Sequence, residues 1–240
     1  IGFGDLLKDL NDNGTHMYFV SEHQYNYYKA LAKRIRNVDF GSIKGYVNPS
    51  YCKQKPQINK TEYDCGTIGR CDSGKNPFKL KYMTKDRDVS SLVITSSTQL
   101  KKDIPYYNKN KDWDDVVWNE PYDKVIDNIA KCNTYFSTWN GETWGITAME
   151  ALSCGVPVIL NCDNDGDHAS EIIPAHKSHY KKIPNSDKDA LVNAIKSFDV
   201  DRKEIQEMTW EKHNKKAWKK QFANCVDKTI ENFKKSRGSL

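Results

Sequence analysis

Through the later two thirds of the chain, short apolar runs alternate with stretches of helical period. Cys65-Gly66-Thr67-Ile68-Gly69-Arg70, Ser91-Leu92-Val93-Ile94-Thr95, Asp115-Val116-Val117-Trp118, Thr134-Tyr135-Phe136-Ser137 and Val156-Pro157-Val158-Ile159-Leu160 each read as a strand, because β-branched and aromatic residues suit a pleated, buried surface. The last run is apolar throughout and closed by Asn161, the mark of a strand covered on both faces. Between the runs, Tyr122 to Lys131 sets Val125, Ile126 and Ile129 on one helical face, and Ile146 to Cys154 carries Ile146, Met149 and Leu152. Gly155 follows where left-handed backbone ends a helix. Strands separated by helices imply right-handed crossovers and parallel pairing. The pattern predicts an α/β fold with a Rossmann-like parallel-sheet domain.

The flanks are patterned differently. Met17-Tyr18-Phe19-Val20 reads as a short strand, and Ser21-x-x-Gln24 as a capping box opening a helix with Tyr25, Tyr28, Leu31, Ala32 and Ile35 on one face. Residues 46–63 are polar and turn-rich without a period, the character of a linker. Downstream, Asp187 to Phe198 reads as an amphipathic helix capped by Ser186, and Lys203 to Phe233 as one or two closing helices. Trp218, Phe222, Val226, Ile230 and Phe233 keep helical spacing there and are expected to pack across a domain boundary. The division expected is 1–45 as the end of one domain, 46–63 linker, 64–212 the Rossmann-like domain and 213–240 a closing helix.

Composition narrows the function only modestly. Thirty-seven Lys and Arg against 32 Asp and Glu give a net charge of +5, which an anionic small substrate explains and a nucleic acid is not needed to explain. The lysines near 212–220 read as a solvated helix face, with nucleic-acid phosphates as the competing reading. Seven cysteines, odd in number and without a C-x-x-C pair, suit a reduced, cytoplasmic compartment. No apolar run is long enough to span a bilayer, and Ile1-Gly2-Phe3-Gly4 is too short for a signal peptide.

The candidate chemistry gathers at Trp139 to Leu160. Gly141 to Gly145 is too glycine-rich for a helix interior, so a loop feeds the helix starting at Ile146. A helix N-terminus leaves unpaired N–H groups and partial positive charge, worth ~0.3–1 kcal/mol toward an anion such as phosphate. Glu142 on the loop and Glu150 inside the helix flank that position and can face one cleft, where carboxylates accept from sugar hydroxyls. Asn161 to His168 holds D-x-D twice, which invites a divalent cation, but the spacing is not that of a twelve-residue calcium loop. His16 and His23 read as structural.

E-x7-E followed by Ala151-Leu152-Ser153-Cys154-Gly155-Val156-Pro157-Val158 resembles the donor-sugar motif of the GT-B glycosyltransferases termed glycosyl transferases group 1. Thr143-Trp144 stand where that family often has Gly-Phe. Arg70 and Lys75, after Gly69 at the end of a strand, resemble its G-R-x4-K. The resemblance implies a retaining enzyme without metal or cofactor that moves a hexose, most often glucose from UDP-glucose. Arg70 and Lys75 would grip the diphosphate, Glu142 the sugar hydroxyls and Glu150 the ribose. Gly69, Thr143, Trp144, Gly145, Ile146 and Thr147 would line the donor site, with Trp118 and Asn119 beside the base. It further implies an acceptor domain upstream, whose end is residues 1–45 after the Val20-Ser21-Glu22 stretch. The acceptor is undetermined, with hydroxymethylcytosine-modified phage DNA a leading candidate. The opposing reading is a nucleotide- or nucleic-acid-binding module without turnover.

Overall fold

The computed structural model describes residues 17–19, 29–30, 43–46, 57–58, 60–72, 75–96, 108–109, 115–138, 145–161 and 179–237. The chain divides into two compact units, one of residues 51–212 and one of residues 1–50 with 213–240.

The larger unit is built on six strands: β3 (Tyr63–Arg70), β4 (Ser91–Ser96), β5 (Val116–Trp118), β6 (Cys132–Ser137), β7 (Val158–Asn161) and β8 (Tyr180–Ile183). Their order is β5-β4-β3-β6-β7-β8, and every pairing is parallel. The chain steps outward from β3 in one direction and then, from β6, in the other. Helices therefore cover both faces, and a crevice opens at the reversal, outside the carboxyl ends of β3 and β6.

Among the described residues, helices α1 (Lys79–Thr84), α2 (Tyr122–Ala130), α3 (Ile146–Ser153), α4 (Lys188–Lys196) and α5 (Arg202–His213) connect and flank these strands, the last ending at the unit boundary. Leu92, Ile94 and Tyr135 on one face of the sheet share a core with Ile126 and Ile129 of α2 and Met149 and Leu152 of α3. The opposite face joins Cys65, Phe136 and Ile159 to Leu80 and Met83 of α1 and Leu191 and Ile195 of α4. Full burial of one such side chain is worth about 1.5–3 kcal/mol, so this two-sided packing fixes which way each strand residue points.

Two glycines let the layers close. A Cβ on Gly66 would stand 2.4 Å from Cys132 Sγ, so β3 and β6 can meet at the reversal only without a side chain there. Gly155, at φ +73° after α3, would place a Cβ 2.3 Å from the carbonyl oxygen of Arg202. The apolar strand read at 156–160 accordingly begins two residues late, at Val158.

The cap of α4 differs from expectation. Asp187, not Ser186, holds the capping position, its side chain accepting from the Ala190 N–H at 2.9 Å. Ser186 instead sits at φ +63° with its N–H directed to Asn161 Oδ1.

In the smaller unit, β1 (Met17–Phe19) pairs in parallel with β2 (Ile43–Tyr46), and α6 spans Lys215–Arg237. Phe222, Val226 and Ile230, read as a packing line, are 49%, 40% and 46% exposed. Of the helix read after Ser21, only Lys29 and Ala30 are described, and both are helical. His16, His23 and the D-x-D stretch up to His168 lie outside the described residues. Among the described residues, no disulfide joins Cys65, Cys71, Cys132, Cys154 or Cys225, and no helix is long and apolar enough to cross a membrane.

Candidate active site

At the carboxyl ends of β3, β4 and β6 lies a cavity of about 380 Å³. Its lining joins apolar Ile68, Ile94 and Val125 to polar and charged Arg70, Lys75, Asn119, Glu120 and Thr138. An apolar pocket with a few convergent polar groups is the form that holds a small organic ligand.

Arg70 ends β3 with its side chain 65% exposed, and Asp72 Oδ2 stands 3.2 Å from its Nε. The loop then turns tightly. Asp72 Oδ1 accepts from the Lys75 N–H at 2.7 Å, and the Asp72 carbonyl accepts from the Asn76 N–H at 2.8 Å. This local bond, from an N–H to an acidic side chain three residues back, braces the turn from inside. A Cβ on Gly69 would crowd Lys75 Cβ at 3.3 Å, a contact relieved by a shift of a few tenths of an ångström, and would meet Pro77 Cβ at an ordinary 3.6 Å.

The N-terminus of α3 reaches the same cavity through Ile146 and Thr147. Gly145 caps it at φ 42°, ψ 53°, no side chain bonds to the cap, and no acidic residue occupies the first turn. The first-turn N–H groups, which have no partner within the helix, and the helix dipole thus favour an anion at this end. Tyr135 Oη donates to Thr147 Oγ1 at 2.6 Å, tying the first turn of α3 to β6.

Glu150 is 7% exposed. Burial pushes its carboxyl up to about 7, opposed in part by a hydrogen bond from Tyr122. It follows Thr147 by three positions and Ile146 by four, so it shares their helical face one turn deeper. It does not itself line the cavity.

Of the residues read as donor-binding, Gly69, Arg70, Lys75, Asn119, Ile146 and Thr147 meet at this one cavity, and Gly145 caps the helix that enters it. Asn119 adopts φ 54° just past β5, its N–H bonded to the Thr95 carbonyl at 2.9 Å. Trp118 is placed elsewhere. Its ring lies 5.7 Å from that of Phe78, in the cluster with Cys71 and Val93 on the α1 side. Glu142, Thr143 and Trp144 lie outside the described residues.

Asp72, Tyr135 and Thr138 carry no motif and were not singled out from the sequence. The usable signal was positional: Tyr135 and Thr138 belong to or follow a strand whose carboxyl end faces the reversal, where ligands bind in open α/β sheets. Among the described residues no group of three or more His, Cys, Asp or Glu is placed to hold a metal ion.

The family model for glycosyl transferases group 1 matches residues 52–216. The chain belongs to this family. Solved glycosyltransferase structures share its GT-B architecture at low identity. HepE of Anabaena, solved with UDP and glucose, superposes with a TM-score of 0.66 at 14% identity, over 89% of this chain and 63% of that one. Sucrose-phosphate synthase of Thermosynechococcus elongatus gives 0.64 at 15%, over 89% and 58%. The pneumococcal O-GlcNAc transferase GtfA, solved with UDP and GlcNAc, gives 0.63 at 15%, over 88% and 45%. The chain thus spans about half to two thirds of the length of these glycosyltransferases. No curated protein matches it.

Proposed function

We propose that this group 1 chain binds a nucleoside-diphosphate sugar and transfers its hexose, with UDP-glucose the first donor to test. The observation that carries the reading is the convergence of Arg70, Lys75 and the N-terminus of α3 on one cavity at the sheet's reversal point. The apolar side chains of Ile68, Ile94 and Val125 suit a base and ribose, and the cations Arg70 and Lys75 suit a diphosphate.

As the glycosidic bond breaks, negative charge grows on the departing diphosphate. Donors already fixed around that charge stabilise the transition state more than the ground state, and this accelerates transfer. Arg70, Lys75 and the first turn of α3 are such donors. Glu150 would accept from the ribose hydroxyls and Glu142 from those of the sugar. In this reading the reaction retains the anomeric configuration, needs no metal, and takes place in the cytoplasm.

For the acceptor, hydroxymethylcytosine-containing DNA is the first candidate to test; the net charge of +5 permits it without requiring it. The test is release of nucleoside diphosphate from a panel of sugar nucleotides, with modified DNA, plain DNA and simple sugars as acceptors. Release that requires one donor and one acceptor, and is lost in Arg70→Gln, is the expected result. Donor binding without release under any pairing would instead mark a binding module.

A further inference from the structure

The six-residue loop from Arg70 to Lys75 presents two cations that are useful only if its backbone holds still. Lys75 is clamped on both sides. Its N–H donates to Asp72 Oδ1 at 2.7 Å, and its carbonyl accepts from Thr138 Oγ1 at 2.6 Å. Thr138 is 9% exposed, and its own carbonyl accepts from Asn161 Nδ2 at 3.1 Å; Asn161, 2% exposed at the end of β7, accepts the Ser186 N–H through Oδ1 at 3.3 Å. The bonds run from the β3 loop across the ends of β6 and β7 to the turn before α4. One main-chain group of the cation loop is thereby referenced to the ends of two neighbouring strands and to the turn before α4.

Asp72 is the part of this chain with an opposing effect. Its Oδ2 lies 3.2 Å from Arg70 Nε, so its negative charge stands where a diphosphate would meet the arginine. Charge alone makes Asp72 unfavourable to an anion; its bond to the Lys75 N–H is what could offset that. We propose that Asp72 is a positioning residue for the diphosphate grip, acting through Oδ1 on the Lys75 main chain, with Thr138 holding the other side of the same residue. The proposal rests on the nucleotide-sugar reading above.

Asparagine separates the two effects, because it keeps an oxygen acceptor for the turn and removes the charge. The experiment measures UDP and uridine binding by calorimetry on the full chain, with thermal melting as a folding check, for the wild type, Asp72→Asn, Asp72→Ala and Thr138→Val. Asp72→Ala is expected to weaken UDP at least tenfold while uridine changes less than threefold. Asp72→Asn is expected to bind UDP within threefold of wild type or more tightly. Thr138→Val is expected to fall on the side of Asp72→Ala. Wild-type binding of UDP with an undiminished Asp72→Ala overturns the positioning role alone. An Asp72→Asn as weak as Asp72→Ala overturns the assignment to Oδ1. Failure of the wild type to bind UDP, GDP or ADP overturns this proposal together with the donor reading, and so is told apart from the other two results.

Discussion

Arg70 and Arg202 are two arginines at opposite edges of one sheet, and they are used in opposite ways. Arg202 is half-buried beyond the ends of α2 and α3. Its guanidinium donates to the carbonyls of Ala130 at 2.8 Å, Gly155 at 3.2 Å and Cys154 at 3.3 Å. Those carbonyls are the negative ends of two helix dipoles, so a cation there satisfies both the hydrogen bonds and the field. Arg70 is mostly exposed where it lines the cavity, beside Asp72. The parallel fold produces the difference: carbonyl-rich helix ends collect at one edge of the sheet, and N–H-rich helix starts at the other. A cation at the first edge closes the structure, and a cation at the second shares a cavity with the start of α3, which is where the proposed function puts an anion.

The comparison predicts a clean exchange of effects. Arg202→Met should cost the most stability, roughly 3 kcal/mol for the loss of charged donors to buried carbonyls, with UDP affinity unchanged wherever the protein is still folded. Chemical denaturation with parallel calorimetry reads both. Large loss of UDP binding without loss of stability would reverse the assignment of the two edges.

Glu150 sharpens the contrast as a buried charge near the binding edge. A carboxyl held up at about 7 in the fold makes its contribution to stability full below the unfolded value of 4.5, and that contribution is lost as pH rises through about 7. The shift corresponds to about 3 kcal/mol at most. Glu150→Gln should flatten the stability profile between those pH values, raise the melting temperature at pH 8, and weaken UDP. A variant whose pH profile parallels the wild type would remove Glu150 as the cause.

Arg70→Gln should leave stability within about 0.5 kcal/mol, as surface changes do. Its UDP affinity should fall tenfold or more, the scale of a charge-assisted bond of about 1.5–3 kcal/mol. Lys75→Met should behave alike, and uridine binding should distinguish loss of the phosphate grip from loss of the cavity.

The smallest effect is expected at neither edge. The Thr67 hydroxyl is fully buried in mid-β3 without a hydrogen-bond partner. Thr67→Val should therefore be neutral or stabilising by less than about 1 kcal/mol, because an isosteric apolar group removes an unmet polar one. A destabilised Thr67→Val would show that the hydroxyl has a role in the folded chain.

Which features were legible from residues alone follows from how local their causes are. The strands at 91–96 and 132–137 were readable because apolar β-branched and aromatic runs have few other stable arrangements. The start of α3 was readable from the glycine-rich approach and the good helix formers after it. Trp118 was legible as a strand residue but not as a neighbour of Phe78, because alternation along a strand does not say which face meets which helix. The cap of α4 was missed by one position, since Ser186 and Asp187 are both good caps and only the backbone conformation of each selects between them.

Chain chemistry on its own established the α/β class, the helix that enters the site, and the G-R-x4-K and E-x7-E spacings behind the family resemblance. Each rests on contacts between near neighbours or on a repeat of fixed period. Tertiary structure decided that β3 and β6 lie side by side, that Arg70 and Ile146 share a cavity, and that Thr138 holds the Lys75 carbonyl. Those depend on strand order, which long-range burial selects. The same arginine side chain is a helix-end clamp at one edge of that sheet and, in the proposed reading, an anion contact at the other, and no property of the residue itself distinguishes the two.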